Sequence, residues 1–107
     1  MSEVFIVAEL EFAPGQEEQA LALVAELCEQ THAKDDGCLL YGIHRVVGDD
    51  LRVLLIEKWR CRDDLDRHLA SEHVKEKRSK EAGLFAGPAK VSFLEPAGFG
   101  LPSMARI

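Results

Sequence analysis

The chain has 107 residues, enough for one domain that buries about two thirds of its unfolded surface, and its 13 Lys and Arg against 19 Asp and Glu give a formal net charge of −6. No basic run is present to release phosphate counterions, which argues against a nucleic-acid partner. Three widely spaced cysteines, Cys28, Cys38 and Cys61, form neither a disulfide framework nor a zinc motif, and no run of about 18 apolar residues or signal-like start occurs, so the expectation is reduced thiols, no membrane and a cytoplasmic setting.

The first predicted element is a strand over about residues 3–13. Val4, Ile6, Ala8, Leu10 and Phe12 alternate with Phe5, Val7, Glu9 and Glu11, the period of a β-strand. Pro14 and Gly15 stop it, and Glu17 and Glu18 favour the N-terminus of a helix from Gln16 to about Ala33. Ala20, Leu21, Val24, Leu27, Cys28 and Thr31 form its apolar stripe. GCLLYGIHRV and LRVLLIEKW read as two strands of a hairpin around GDD. In the first, Leu39, Tyr41 and Ile43 are expected on one face and Cys38, Leu40, Gly42 and His44 on the other. In the second, Val53, Leu55, Glu57 and Trp59 share a face.

A second helical region is expected over Arg62 to about Lys80, with Leu65 and Leu69 on its buried side, and PAKVSFLEP, residues 88–96, closes the fold as a last strand. The order βαββαβ predicts an α+β, ferredoxin-like sandwich: an antiparallel sheet with the first and third strands central and helices on one face. The uncovered face carries Phe and Leu, which predicts a homodimer packed sheet against sheet. Residues 1–97 form the domain, and the tail 98–107 is too short to fold alone and is expected to pack on a partner subunit.

The chemistry-bearing residues gather in EKWRCRDDLDRHLASEH, residues 57–73. A carboxylate at Glu57 on an apolar strand face is costly unless it is paired or faces a cavity, and an arginine or helix amide is as natural a partner as a ligand. On a continuous helix, His68 and His73 would diverge by roughly 140° at 100° per residue, which argues against a metal pair; the expected metal set is empty. Ser71 is the one sign of a break, since it suits the cap of a restarted helix with His73 in its first turn. Phosphate loops and nucleophile elbows are absent, which leaves proton chemistry on an apolar organic molecule, with a histidine as base.

The ordered set GC-x-x-Y, E-x-W, H-x-x-x-x-H, carried by GCLLYGIHR, LIEKW and HLASEH and followed by GPAKVSFLEP, resembles the antibiotic biosynthesis monooxygenase family over roughly residues 3–97, especially its small quinol monooxygenase-like members. The resemblance implies a dimeric α+β barrel with a pocket between sheet and helices. It also implies oxygenation of a quinol-like or phenolic aromatic by O₂ with no cofactor. His73, His68 and Trp59 are then the catalytic candidates, with a histidine holding the proton and Trp59 walling the pocket, and Tyr41, Glu57 and His44 the substrate-binding ones. Residue 72, often proline in relatives, is glutamate here, which weighs against a helix restart. The haem-degrading relatives' residues align with Ala8, His68 and Arg78, a poor match. An isomerase of a phosphorylated dione would need a cationic grip, for which Arg45 and Lys58 are candidates, and a non-catalytic dimer that binds small ligands is the other alternative.

Overall fold

The computed structural model describes residues 2–107. Strands β1 (Val4–Glu11), β2 (Cys38–Val46), β3 (Asp49–Trp59) and β4 (Lys90–Leu94) form one antiparallel sheet in the order β2-β3-β1-β4, so the first and third strands are central as expected. Helices α1 (Glu17–Lys34), α2 (Arg62–Leu69) and α3 (Glu72–Lys80) and a short C-terminal turn of helix, α4 (Pro102–Ala105), complete an α+β, ferredoxin-like fold. The inner face of the sheet follows the strand period: Ile6, Ala8 and Leu10 on β1 sit opposite Glu57, Leu55 and Val53 on β3 and pack with Ala20 and Val24 of α1 into the core. Phe12 bridges to Phe85 and closes one end of that core.

Two local features depart from the simple period. A register irregularity between Cys38 and Leu40 sets Cys38 opposite Trp59 and Tyr41 opposite Glu57, so Cys38 joins the inner face with Tyr41 and Ile43, while Leu40, Gly42 and His44 face outward. The expected grouping of Cys38 with His44 is corrected by that extra residue. Just before it, Gly37 has a φ of +75°, and a Cβ there would collide with the Asp64 carboxylate, so only glycine fits.

The second helical region is the other departure, for it is two helices. Ser71 caps α3 by accepting a hydrogen bond from the Val74 N–H at 3.3 Å, and its hydroxyl donates to the His68 carbonyl at 2.6 Å. A serine that satisfies groups on both sides stabilises the break by itself, and Glu72 fits the first turn of α3 without a proline. At the start of α2, Cys61 is the N-cap residue and Asp64 is fully buried, accepting from Arg60, Arg67 and the Cys61 thiol.

On the outer face of the sheet, Phe5 is covered by the C-terminal segment, where Lys58 donates to the Ile107 carbonyl and Arg106 pairs with Glu3. No helix among the described residues is long and apolar enough to cross a membrane.

Candidate functional site

Between the inner sheet face and the helices lies a cavity of about 350 Å³, at the lower end of the range for small-molecule sites. Its walls are mostly apolar, from Ile6, Ala8 and Leu55 of the sheet and Val24 and Leu27 of α1. Five polar side chains line it: Tyr41, Glu57 and His68 at its inner end, and the cations Arg62 and Lys77. Tyr41, Glu57 and His68 are buried.

Each is held by local structure. Tyr41 is on the edge strand β2, and its backbone carbonyl accepts from His32 Nε2 at 2.8 Å and from the Cys28 thiol at 3.3 Å, one turn apart on α1. Glu57 lies opposite Tyr41 in the sheet, and its Oε1 accepts the Trp59 indole N–H at 2.9 Å. Its partner is thus the tryptophan two residues on, not an arginine or a helix amide. Burial pushes the Glu57 carboxyl above its ordinary range, opposed by that indole bond. His68, at the end of α2, lies with its ring centroid 4.8 Å from the Trp59 ring and 5.3 Å from Tyr41, and burial lowers its pKa below 6.5. A neutral imidazole and a carboxyl inclined to keep its proton share one cavity, the pairing expected of a base and an acid.

The remaining candidates fall elsewhere. Trp59 is fully buried and does not line the cavity; its N–H is used by Glu57, so it supports the site from beneath instead of walling it. His73, a catalytic candidate by the family resemblance, does not line the cavity: after the break at Ser71 it lies at a small hollow shared with Gln30 and Glu76. Leu69, expected to be buried, is 40% exposed at the cavity mouth. His44 points outward, is exposed and bonds the Gly42 carbonyl, so the structure does not bring it to the substrate-binding set. Lys58 is also on the outer face, paired with Glu3, and neither it nor Arg45 lines the cavity.

One residue of the cluster was not anticipated. Asp35, the C-cap residue of α1, lies with Oδ2 2.6 Å from His68 Nδ1 and both carboxylate oxygens 3.0 Å from His73 Nε2. The helix break therefore brings together two imidazoles expected to diverge, with ring centroids 5.9 Å apart. Asp35, His68 and His73 each offer a ligand atom, all within 4.8 Å of one another, a donor set that would suit a divalent transition cation. The argument against a metal pair from diverging imidazoles accordingly fails. The only hint in the sequence is electrostatic: two consecutive aspartates, Asp35 and Asp36, stand at the negative end of α1, where acids are disfavoured unless something else holds them.

Comparison with known proteins bears on the fold and the family. PA3566 from Pseudomonas aeruginosa superposes with a TM-score of 0.84 at 26% identity, covering 92% of this chain and 97% of its own. Rv0793 from Mycobacterium tuberculosis gives 0.81 at 28% identity, covering 94% and 100%. A structure named as an antibiotic biosynthesis monooxygenase gives 0.80 at 24% identity, covering 89% and 99%, which speaks to the fold alone. No curated protein matches the sequence. The family model for antibiotic biosynthesis monooxygenases matches residues 3–79, from before β1 to nearly the end of α3, and the chain belongs to that family.

Proposed function

We propose that the chain is a cofactor-independent monooxygenase that oxidises a quinol-like or phenolic aromatic with O₂, with His68 as the base. The observation that carries this reading is the placement of His68: it is buried, lines an apolar cavity, and has its Nδ1 taken by Asp35, so that Nε2 is the nitrogen free for a ligand. In the proposed reaction a substrate O–H bond breaks, its proton goes to His68 Nε2, and the electron pair stays on the aromatic as a phenolate. That electron-rich anion reduces O₂ directly. One oxygen atom enters the product and the other leaves as water with two substrate hydrogens, His68 returning its proton so that it ends neutral.

Tyr41 and Glu57 orient the substrate. Both are buried at the cavity wall, and the Tyr41 hydroxyl has no protein partner among the described residues. Trp59 acts by holding Glu57. Arg45 and Lys58, the grip named for the isomerase reading, do not line the cavity; its cations are Arg62 and Lys77 instead.

The working unit is a homodimer. Val7, Leu54, Ile56 and Leu40 lie on the sheet face opposite the helices and are only partly covered, the apolar surface a second copy would bury. Phe99, Leu101 and Met104 of the tail are exposed beside that face and would extend the contact. Sedimentation is expected to give twice 11.9 kDa; only the single-chain mass at micromolar concentration would remove the dimer from the account. For the reaction itself, the test is oxygen uptake by metal-stripped protein across hydroquinones, naphthoquinols and anthrones, with ¹⁸O₂ label followed into the product. Uptake with one labelled atom per product is expected. No uptake above the spontaneous rate with any member would contradict the proposal.

A further inference from the structure

Asp35 is oddly placed for a residue with no task. It ends α1 where the helix dipole disfavours a carboxylate, its side chain is only 10% exposed, and its two closest polar partners are imidazoles from two different helices. A neutral imidazole has one N–H and one lone pair, whereas a carboxylate only accepts. The ring nitrogen facing Asp35 must then carry the hydrogen in both histidines: Nδ1 of His68, at 2.6 Å, and Nε2 of His73, at 3.0 Å. For His68 this leaves the lone pair on Nε2.

We propose that Asp35 is the positioning residue of the site, fixing His68 in the tautomer that presents Nε2 to the cavity as an acceptor, and that His73 holds Asp35 in place from its other side. The inference rests on the reading of His68 as the base and adds two residues that act only through it. When His68 takes the substrate proton at Nε2, the resulting imidazolium stays against the Asp35 carboxylate, which stabilises the charge without moving. His73 grips both oxygens of Asp35 and keeps the carboxylate from rotating away. Its place in the first turn of α3 follows from the Ser71 cap, so the helix break exists in the same stroke that builds the pair. This also explains why a second, half-buried histidine sits behind the cavity instead of in it.

The test is a direct reading of ring protonation by ¹⁵N NMR of the histidines between pH 7 and 8, with turnover measured on the same samples. The wild type is expected to show neutral His68 protonated on Nδ1. In Asp35→Asn the amide can donate to Nδ1, so the proton should move to Nε2, and turnover should fall by about 10² to 10⁴ with the melting temperature little changed. Asp35→Glu is expected to restore the Nδ1 tautomer and part of the rate. His73→Gln, which keeps an N–H donor, should lose less activity than His73→Leu, with the acid limb of the pH profile displaced only in the latter.

The proposal is overturned if wild-type His68 carries its proton on Nε2, or if Asp35→Asn leaves tautomer and pH profile unchanged. It is overturned equally if purified protein holds one transition cation per chain on these nitrogens, since a cation on Nδ1 excludes the proton. Should Asp35→Asn fail to fold, the wild-type tautomer and Asp35→Glu decide. The expected tautomer in a protein that oxidises no phenol would uphold the positioning by Asp35 and refute the monooxygenase reading, so the two fail separately.

Discussion

The two ends of the cavity are built on opposite plans. At the inner end, Tyr41, Glu57 and His68 are 3%, 7% and 4% exposed, and each is tied to a neighbour through a backbone carbonyl, an indole or a carboxylate. At the outer end, Val91 and Phe93 of the edge strand β4 point to the same inner face yet are 52% and 53% exposed, because no helix lies over them. Arg62 stacks on Phe93 and Leu69 stands half open beside it. Groups that must keep one geometry are over-determined by the fold, whereas the apolar rim stays open for an incoming aromatic ring. The difference separates where chemistry is set from where a ligand is admitted.

The largest expected effect breaks the frame of the inner end. Gly37→Ala would force a side chain into a left-handed conformation and into the buried Asp64, costing about 2 kcal/mol or more. A melting temperature lowered by less than about 4 °C would show that the β2 start and α2 are not locked together there.

A smaller change acts on the chemistry alone. Glu57→Gln keeps an acceptor for the indole but removes the ionisable carboxyl, and turnover is expected to fall by about tenfold. Its pH signature has a definite sign. Because the folded pKa of Glu57 is raised, the native state holds that proton more tightly than the unfolded chain, so the contribution to stability is fully present below 4.5 and is lost as pH rises through the folded value. Glu57→Gln should therefore stabilise the protein relative to wild type at pH 8 and show little such gain at pH 4. An equal gain at both values would mean the carboxyl is not desolvated. His68 works the opposite way: its folded pKa is lowered, so its contribution is intact above 6.5 and declines on acidification below it.

The outer end is probed by Phe93→Ala, which enlarges the open rim and removes the ring under Arg62 while leaving Tyr41, Glu57 and His68 in place. KM is expected to rise about three- to tenfold, the worth of roughly one or two buried methylenes, with kcat almost unchanged; a matching fall in kcat would make the rim part of the chemistry. The smallest effect is at the α2 cap. Cys61 already occupies the N-cap and bonds Asp64 through sulfur at 3.2 Å, so Cys61→Ser should raise stability by up to about 1 kcal/mol, visible in thermal melts. A lower melting point would mean that packing of the buried sulfur outweighs the cap.

The sheet was legible in the sequence because its alternation is local: Val53, Leu55, Glu57 and Trp59 share a face by period alone, and all are buried. Four of the candidate residues, Tyr41, Glu57, Trp59 and His68, do cluster at one site. What was not legible depends on single residues that reset the phase. One irregularity near Leu39 moved Cys38 to the inner face, and one serine broke the helix on which His68 and His73 would have diverged. Asp35 was missed because a loop aspartate has no periodic signature, and its role appears only when two helices from later in the chain arrive beside it.

The most direct measurement is oxygen uptake by His68→Ala and His73→Ala, side by side, with whichever quinol the wild type oxidises. His68→Ala is predicted to lose about 10² to 10⁴ in turnover while folding normally, since it removes the base itself; His73→Ala, which only frees Asp35, should lose distinctly less. Equal or greater loss in His73→Ala, with His68→Ala still active, would contradict the assignment of the base and return it to the histidine outside the cavity.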